Sequence, residues 1–500
     1  MKMLDVLFIH PNGSDLIYQE LSHSLSAKEP PIWAAMLAKH CISKGFSSEV
    51  MDCEAVSLTD VDAIYHIKNL NPRLISFVIY GQQPSASTQN MEGAVRLAEK
   101  IKLTYPHIKI LFVGGHVSAL PRETLEKHPC IDFICQNEGV YTISTLLQTN
   151  LVDDLNKIKG LGYRIKIKEQ EIGLISDIIL NEKSTQVSQE NLVKDLPGMS
   201  WDLLPMKHYR TALWHALSNN TLRQPFAALY TSLNCPFGCS FCCISSPFEK
   251  SGFKFWDPEF MIQEFDYLAN LGIKNLKIAD EMFVMNVNHF LKLCNLIIER
   301  GYKFNIWCYA RVDITKDEYL STLKKAGVNW LALGIESSNK RVRKDVYKGR
   351  FDNTDIRGVV KKIQDHGIYV MGNYIFGLPE DDHDSMQETL DMALELNTEG
   401  ANFYSAMAYP GSQLHTIAKE NNWKLPETYS GYSQHSYNTQ PLPTKYLPPE
   451  EVLKFRDKAW NTYHLNPNYL NMIESKFGKE ASNQIVKSTN IKLKRKILGD

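Results

Sequence analysis

The run Phe226-Ala227-Ala228-Leu229-Tyr230-Thr231-Ser232-Leu233-Asn234-Cys235-Pro236-Phe237-Gly238-Cys239-Ser240-Phe241-Cys242 joins an apolar strand pattern directly to three closely spaced cysteines. Downstream of it, strand-like runs recur at 275–278, 305–309, 330–333, 369–375 and 402–406. Each is preceded by a helix-like stretch closing on a glycine: Gly272, Gly301, Gly327, Gly367 and Gly400. Glycine just past a helix end takes the left-handed conformation without a Cβ clash. Thr315 with Glu318 also fits a capping box at a helix start. Six such units predict a partial (β/α) barrel, two short of the eight in a closed one.

Upstream, the first 140 residues alternate buried-strand runs (4–9, 49–51, 74–79, 108–113 and 132–135) with helical stretches such as 31–43 and 90–104. Continuous apolar strands spaced by helices predict an α/β, Rossmann-like parallel sheet covered on both faces. Ligands bind such sheets in the loops at the carboxyl ends of the strands. Those loops are His10-Pro11-Asn12-Gly13, the stretch from Gly81 and Gln82 to Pro84, Gly114-Gly115-His116, and Glu138-Gly139. Charged and amide residues, among them Lys157, Lys159 and Glu169, break the order after 150. The expected organisation is therefore a first domain at 1–150, a linker with a small hairpin at 151–215, the barrel at 216–435, and a mainly helical segment at 436–500. The basic tail Lys492, Lys494, Arg495 and Lys496 reads as a solvated helix end.

At 500 residues the chain is long enough for about three domains. Its 44% hydrophobic and 22% charged content excludes disorder and collagen-like structure. A formal net charge of -1 gives no electrostatic case for a nucleic-acid or anionic-membrane partner. No apolar run reaches a membrane-spanning length, and the opening apolar stretch, broken at Asp5 and ended at His10-Pro11, is too short for a signal peptide. A cytoplasmic chain with reduced thiols is expected.

Four of the ten cysteines fall between Cys235 and Cys243. Thiolates at C-x3-C-x2-C spacing on one loop converge on a compact soft-metal site. Zinc would want a fourth ligand from a second paired motif, and none exists in the chain; adjacent Cys243 is poorly placed to serve. A [4Fe–4S] cluster held by Cys235, Cys239 and Cys242 instead leaves one iron open. Coincidence is the bland alternative. Cys41, Cys53, Cys130 and Cys135 read as small buried hydrophobes rather than a second cluster of the methylthiotransferase kind.

The C-x3-C-x-Phe-C loop after the first strand of a partial barrel resembles the radical S-adenosylmethionine (SAM) superfamily, and the leading α/β domain resembles a cobalamin-binding domain. Pro30-Pro31, Gly114-Gly115-His116 and Glu138-Gly139 carry the second resemblance. It implies cobalamin contacts at His10, Pro11, Asn12, Gly13, Gly81, Gln82, Gly114, Gly115, His116, Glu138 and Gly139. The first resemblance implies SAM contacts at Phe241, at the acidic pair Asp280-Glu281 near the ammonium, at Arg311 on the carboxylate, at Glu336-Ser337 near the ribose, and along Gly372-Asn373 to Gly377. Tyr409-Pro410-Gly411-Ser412 resembles the loop after strand six. Tyr404, Tyr409 and Tyr432 are candidate pocket walls, and core packing suits each equally. No Asp-x-His-x-x-Gly sequence occurs in residues 1–150, so a histidine ligand below cobalt is not apparent. His10 and His116 read as loop histidines hydrogen-bonded to backbone.

The resemblance implies an enzyme that reductively cleaves SAM to a 5′-deoxyadenosyl radical and methylates an unactivated carbon or phosphorus centre through methylcobalamin. Its partners would be a small-molecule substrate and an external one-electron reductant such as flavodoxin or ferredoxin, with no nucleic acid and no membrane span. The alternatives are a non-methylating oxidative cyclase or ring-rearranging enzyme, and a sensor whose cofactors are structural. A low-potential cluster touching a sulfonium needs a dry cavity, which the barrel mouth facing the sheet's loop edge would provide.

Overall fold

The computed structural model describes residues 3–24, 26–81, 86–170, 173–218, 222–249, 252–348 and 354–500. Strands β1 (Leu4–His10), β2 (Ser48–Asp52), β3 (Pro72–Ile79), β4 (Lys109–Gly114) and β5 (Phe133–Cys135) run parallel in the order β2-β1-β3-β4-β5. The two-residue period of a strand sends Val6 and Phe8 to one face and Leu7 and Ile9 to the other, and all four are buried. Helix Ala86–Thr104 closes the Leu7/Ile9 face. Helix Ile32–Ser43 closes the Val6/Phe8 face, whose apolar cluster continues without interruption into the second sheet.

The segment expected to be a linker does more than connect. Strands β6 (Leu161–Gln170) and β7 (Gly173–Leu180) form an antiparallel hairpin that extends the first sheet to seven strands. Its remainder buries Leu196, Trp201, Tyr209 and Trp214 between the two halves of the molecule. The small hairpin expected in this segment is thus an edge pair of the first sheet, and an antiparallel edge with one wet face tolerates a charge-rich composition.

The second sheet begins at β8 (Phe226–Leu229). A short antiparallel pair, β9 (Ser232–Leu233) with β10 (Lys254–Phe255), brackets the cysteine loop. Strands β11 (Asn275–Ile278), β12 (Asn305–Arg311), β13 (Val328–Glu336), β14 (Tyr369–Phe376) and β15 (Gly400–Ser405) complete a six-stranded parallel sheet, ordered β15-β14-β13-β12-β11-β8. Strands β8 and β15 are its two edges, so the barrel is open.

Three expectations change. Gly272, Gly301, Gly327 and Gly367 take positive φ after their helices, but Gly400 does not. Left-handed Asn397 ends the fifth helix instead, and Gly400 is small because a Cβ there would stand 2.3 Å from Met371 Cε. Thr315 caps nothing: its hydroxyl donates to the Arg311 carbonyl (2.7 Å), and the helix starts one residue later, from Lys316. The basic tail is not a solvated helix end. Arg495 is buried, donates to both oxygens of Asp457 (3.0 and 2.9 Å) and reaches the Gln434 carbonyl (2.9 Å). Its neighbour Lys494 accepts from the Gln19 amide through its carbonyl, tying the tail to the first domain.

Helices Pro449–His464, Pro467–Phe477 and Lys479–Thr489 form the C-terminal segment. The first packs on the end of β14, where Gly377 has φ +79° and a Cβ would lie 2.4 Å from Val452 Cγ1. Gly377→Ala is expected to destabilise the chain by about 2–5 kcal/mol. Left-handed backbone contributes about 1–2 and overpacking about 1–3, read as a lowered urea midpoint.

Candidate active site

The cysteine loop is held from below by Asp280 at the end of β11. Its carboxylate accepts from Thr231 N, Thr231 Oγ1 and Ser232 Oγ, each at 2.6 Å. Burial pushes that carboxyl up to about 6 while these donors pull it down. Asp280 is therefore saturated by the loop it anchors. Its neighbour Glu281 differs: burial drives its carboxyl up to about 8, and Oε2 is buried with no hydrogen-bond partner.

Cys235, Cys239 and Cys242 are each partly exposed, whereas Cys243 is buried. Cys242 N–H donates to the Cys239 carbonyl (3.0 Å), closing a tight turn between the two. Burial pushes the Cys235 thiol up to about 11 and the Cys242 thiol well above its usual range. Among the described residues no set of three His, Cys, Asp or Glu side chains closes around a single metal ion. Two cations border the thiols. Arg311 points Nη1 at Cys239 Sγ (3.9 Å), stacks on Phe237 (3.9 Å) and clasps Asp313 at 2.9 and 3.0 Å. Buried Lys348 pairs with Glu336 at 2.7 Å and lies over the Phe241 ring.

Glu336 sits at a register shift in β13 with φ 64°. Its carboxylate is thus engaged, as is Ser337, whose hydroxyl meets Thr389 Oγ1 at 3.2 Å. Gly372 makes room for the Tyr374 ring, and Phe241 packs beside Leu378 and Ala408. Asn373 donates to the Leu333 carbonyl, accepts from Asn402 (3.0 Å), and faces the interior.

A cavity of about 1030 Å³ lies between the sheets. Its walls come from the first sheet's loops (His10, Glu54, Tyr80, Gly81), from the stretch Lys28 to Trp33, and from the barrel lumen (Tyr230, Lys277, Tyr309, Tyr404). Tyr409 also lines it, while buried Tyr432 stands behind Tyr409. Glu29 reaches from the first domain to Lys277 in the lumen (3.1 and 3.3 Å), and Lys277 lies over the Tyr309 ring at 5.3 Å.

Of the residues expected at a corrinoid, His10 and Gly81 line this cavity, and Gln82 lies outside the described residues. Pro11 is buried behind His10. Asn12 is taken up by Leu58 and Arg96, and Gly13 packs on Gly93. Gly114 abuts the Ile79 carbonyl, Gly139 packs on Val113, and Gly115 accepts from Ser246 Oγ (2.8 Å). The Ser246 contact docks the helix after the cysteine loop onto the first domain. Neither histidine bonds to backbone as a loop histidine would: His10 Nδ1 meets Asp52 Oδ1 at 3.0 Å, and His116 Nδ1 meets Thr88 Oγ1 at 3.2 Å.

Comparison with known proteins supplies the context. Residues 229–393 match the radical SAM superfamily, and residues 21–147 match the B12 binding domain. The chain joins a B12-binding domain to a radical SAM domain. It is 26% identical to the uncharacterized methyltransferase PH0819 of Pyrococcus horikoshii, across 94% of each chain. It is 24% identical to the anaerobic magnesium-protoporphyrin IX monomethyl ester cyclase of Rubrivivax gelatinosus, across 82% of this chain and 69% of the cyclase. Its fold resembles the structure of the radical SAM methyltransferase TsrM from Kitasatospora setae with cobalamin and [4Fe-4S] cluster bound. That likeness has a TM-score of 0.67 at 14% identity and covers 98% and 100% of the two chains. The two matched domains are named for SAM and for B12, and the TsrM structure carries cobalamin and a [4Fe-4S] cluster.

The residues present fit those groups. Thiols of one cubane bind separate irons, so they need not meet at one point, and flanking cations suit an anionic cluster. Glu281 Oε2, buried without a hydrogen-bond partner beside the strand ends of the radical SAM domain, is an atom that a bound cation would satisfy. On the B12-binding side, the buried Tyr80 hydroxyl, also unpartnered, lies in the cavity wall.

Glu138 has another task. Its Oε1 accepts from the Val187 N–H, its own carbonyl accepts from Trp33 Nε1 (3.1 Å), and burial pushes its carboxyl up to about 7. A raised carboxyl stabilises the fold below the unfolded value near 4.5 and loses that stability as pH climbs through 7. Glu138→Gln is expected to remove a loss of about 3 kcal/mol over that window, measured as urea midpoints at pH 5 and pH 8.

Sequence reasoning missed Lys277, Glu29 and Lys348. A lysine inside the buried run Asn275-Leu276-Lys277-Ile278 was the available signal, because charges are rarely fully buried without a partner.

No helix among the described residues is long and apolar enough to cross a membrane.

Proposed function

We propose that this chain is a cobalamin-dependent radical SAM methyltransferase acting on an unactivated carbon or phosphorus centre of a small molecule. The observation that carries the reading is a cavity walled by both domains, with the helix after the cysteine loop docked onto the B12-binding domain through Ser246 and Gly115. When bound, the cluster supplies the electron that cleaves SAM to a 5′-deoxyadenosyl radical, and cobalamin supplies the transferred methyl group.

The residues do the rest. Cys235, Cys239 and Cys242 hold the cluster, with Arg311 and Lys348 offsetting its charge. Glu281 takes the SAM ammonium; Asp280, expected beside it, positions the loop instead. Arg311 keeps Nη1 toward Cys239 while Asp313 fixes its plane, so any contact with the SAM carboxylate uses that outer edge. Asn373 orients the adenine side, and Tyr230, Tyr309 and Tyr404 exclude water from the lumen. An external flavodoxin- or ferredoxin-like protein in the cytoplasm delivers the electron.

The test uses anaerobically reconstituted, reduced protein with cob(I)alamin and SAM as the only added ligands. Formation of both S-adenosylhomocysteine and 5′-deoxyadenosine supports the reading. Formation of 5′-deoxyadenosine alone favours the cyclase class to which several relatives belong. Formation of neither overturns both.

A further inference from the structure

We propose that Arg456, Arg495 and His435, on the C-terminal wall of the cavity, seat an oxyanion of the substrate: a phosphate or carboxylate that holds the molecule while its far end reacts in the barrel lumen. The inference rests on the methyltransferase reading above and deepens it by naming a substrate class.

The three residues come from separate parts of the chain. Arg456 lies on helix Pro449–His464, Arg495 in the tail, and His435 in the stretch between Tyr432 and that helix. All three line the cavity. The two arginine side chains are only 5% and 1% exposed, yet they share one carboxylate. Asp457 Oδ1 accepts from Arg456 Nη1 and Arg495 Nη2, both at 2.9 Å, and Oδ2 accepts from Arg495 Nε at 3.0 Å. Two buried cations on one anion leave a positive charge unmatched, which is costly inside a protein. Asp500, the other acid side chain of this wall, takes the Arg495 backbone N–H (2.8 Å) instead of a guanidinium. Lys454, Lys458 and Lys492 add positive charge at exposed positions of the same wall. The buried cation across the cavity differs, because Lys277 has a carboxylate of its own in Glu29.

Hydrogen-bonding capacity is left over as well. Arg456 directs Nε to the Phe403 carbonyl (2.7 Å) and Nη1 to Asp457, and its Nη2 has no partner among the described residues. His435 lies against the Tyr18 ring at 5.7 Å, with Nδ1 buried and unbonded. Burial, then the Arg456 and Arg495 charges, press the His435 pKa down to about 3, so the ring is neutral and offers one N–H. Buried polar groups without partners call for a reason. A guanidinium edge beside a neutral N–H matches the oxygens of a phosphate or carboxylate.

The bond to Phe403 also fixes where the seat stands. Phe403 belongs to β15, one edge of the six-stranded sheet, and its neighbour Tyr404 lines the lumen. The cysteine loop leaves β8, the other edge. A molecule gripped by its oxyanion at β15 therefore extends across the lumen, with its uncharged end toward the cysteines.

The experiment is isothermal titration calorimetry of the full chain, reconstituted with cluster and cobalamin and saturated with SAM, the cluster being left oxidised so that SAM stays intact. Inorganic phosphate and succinate are the probes. One site per chain is expected for at least one of them. Arg456→Gln should weaken it at least about tenfold, and His435→Ala about 2–10-fold. The histidine variant leaves every Arg–Asp contact in place, so it decides the matter even if the arginine variant folds poorly. The titration is repeated with cobinamide, which lacks the nucleotide phosphate. Binding with cobinamide but not with cobalamin gives the seat to the corrinoid's own phosphate and overturns the substrate assignment. Binding of neither probe, or binding that His435→Ala leaves unchanged, overturns it too. Those three outcomes leave the methyltransferase reading standing. A chain that retains no corrinoid, or that on reduction makes no 5′-deoxyadenosine from SAM, overturns that reading and the substrate assignment with it.

Discussion

Cys239→Ala is expected to reduce 5′-deoxyadenosine formation to background and to remove most bound iron and sulfide, while corrinoid binding persists. On the proposed reading three thiols serve the cluster, and Cys243 is buried where those three are partly exposed, so it is not placed to replace a lost one. Cys239 also meets Arg311 (3.9 Å), so its removal strands that guanidinium beside Asp313. Cys243→Ala is the matched control: iron content and SAM cleavage should stay near wild type. Iron analysis and chromatography of the nucleoside read the result. Retained cluster in Cys239→Ala, or loss of cluster in Cys243→Ala, would reverse the ligand assignment.

Lys277→Met is expected to destabilise the chain by about 3–5 kcal/mol, the usual result of stripping one partner from a buried ion pair. The side chains of Lys277 and Glu29 are only 9% and 11% exposed. Burial already raises the Glu29 carboxyl, and Lys277 is what holds it down. Without the lysine, Glu29 should take up a proton more readily. The variant's deficit should therefore be small at pH 5 and grow as pH rises toward 8. The double change Glu29→Gln with Lys277→Met should recover most of the loss, since it leaves no unpaired charge. Urea midpoints of the four chains form the cycle. A deficit below about 1 kcal/mol would place this pair with exposed ones and remove its role as the electrostatic tie across the cavity.

The sequence carries the strand–helix rhythm of both sheets because most strands are buried on two faces, so their runs are mainly apolar. The hairpin β6–β7 is harder to read, since an edge pair needs apolar residues on one side only. The cysteine trio is local and visible. The division of labour within Asp280-Glu281 is not, because it depends on Thr231 and Ser232 arriving from another strand. The burial of Arg495 depends on Asp457 and Gln434, which are 38 and 61 residues away. Position in the chain therefore suggested solvent where folding supplied partners. The same distance hides Asp52 behind His10.

The apolar cluster that runs unbroken from Val6 and Phe8 into the barrel has a mechanical meaning. Swinging the halves apart like a clam would wet that seam, at about 25 cal/mol for each Å² uncovered. In the proposed enzyme the gap between the corrinoid seat and the SAM seat would thus be set by the scaffold, and the reach of methyl transfer would be built in before any reactant arrives.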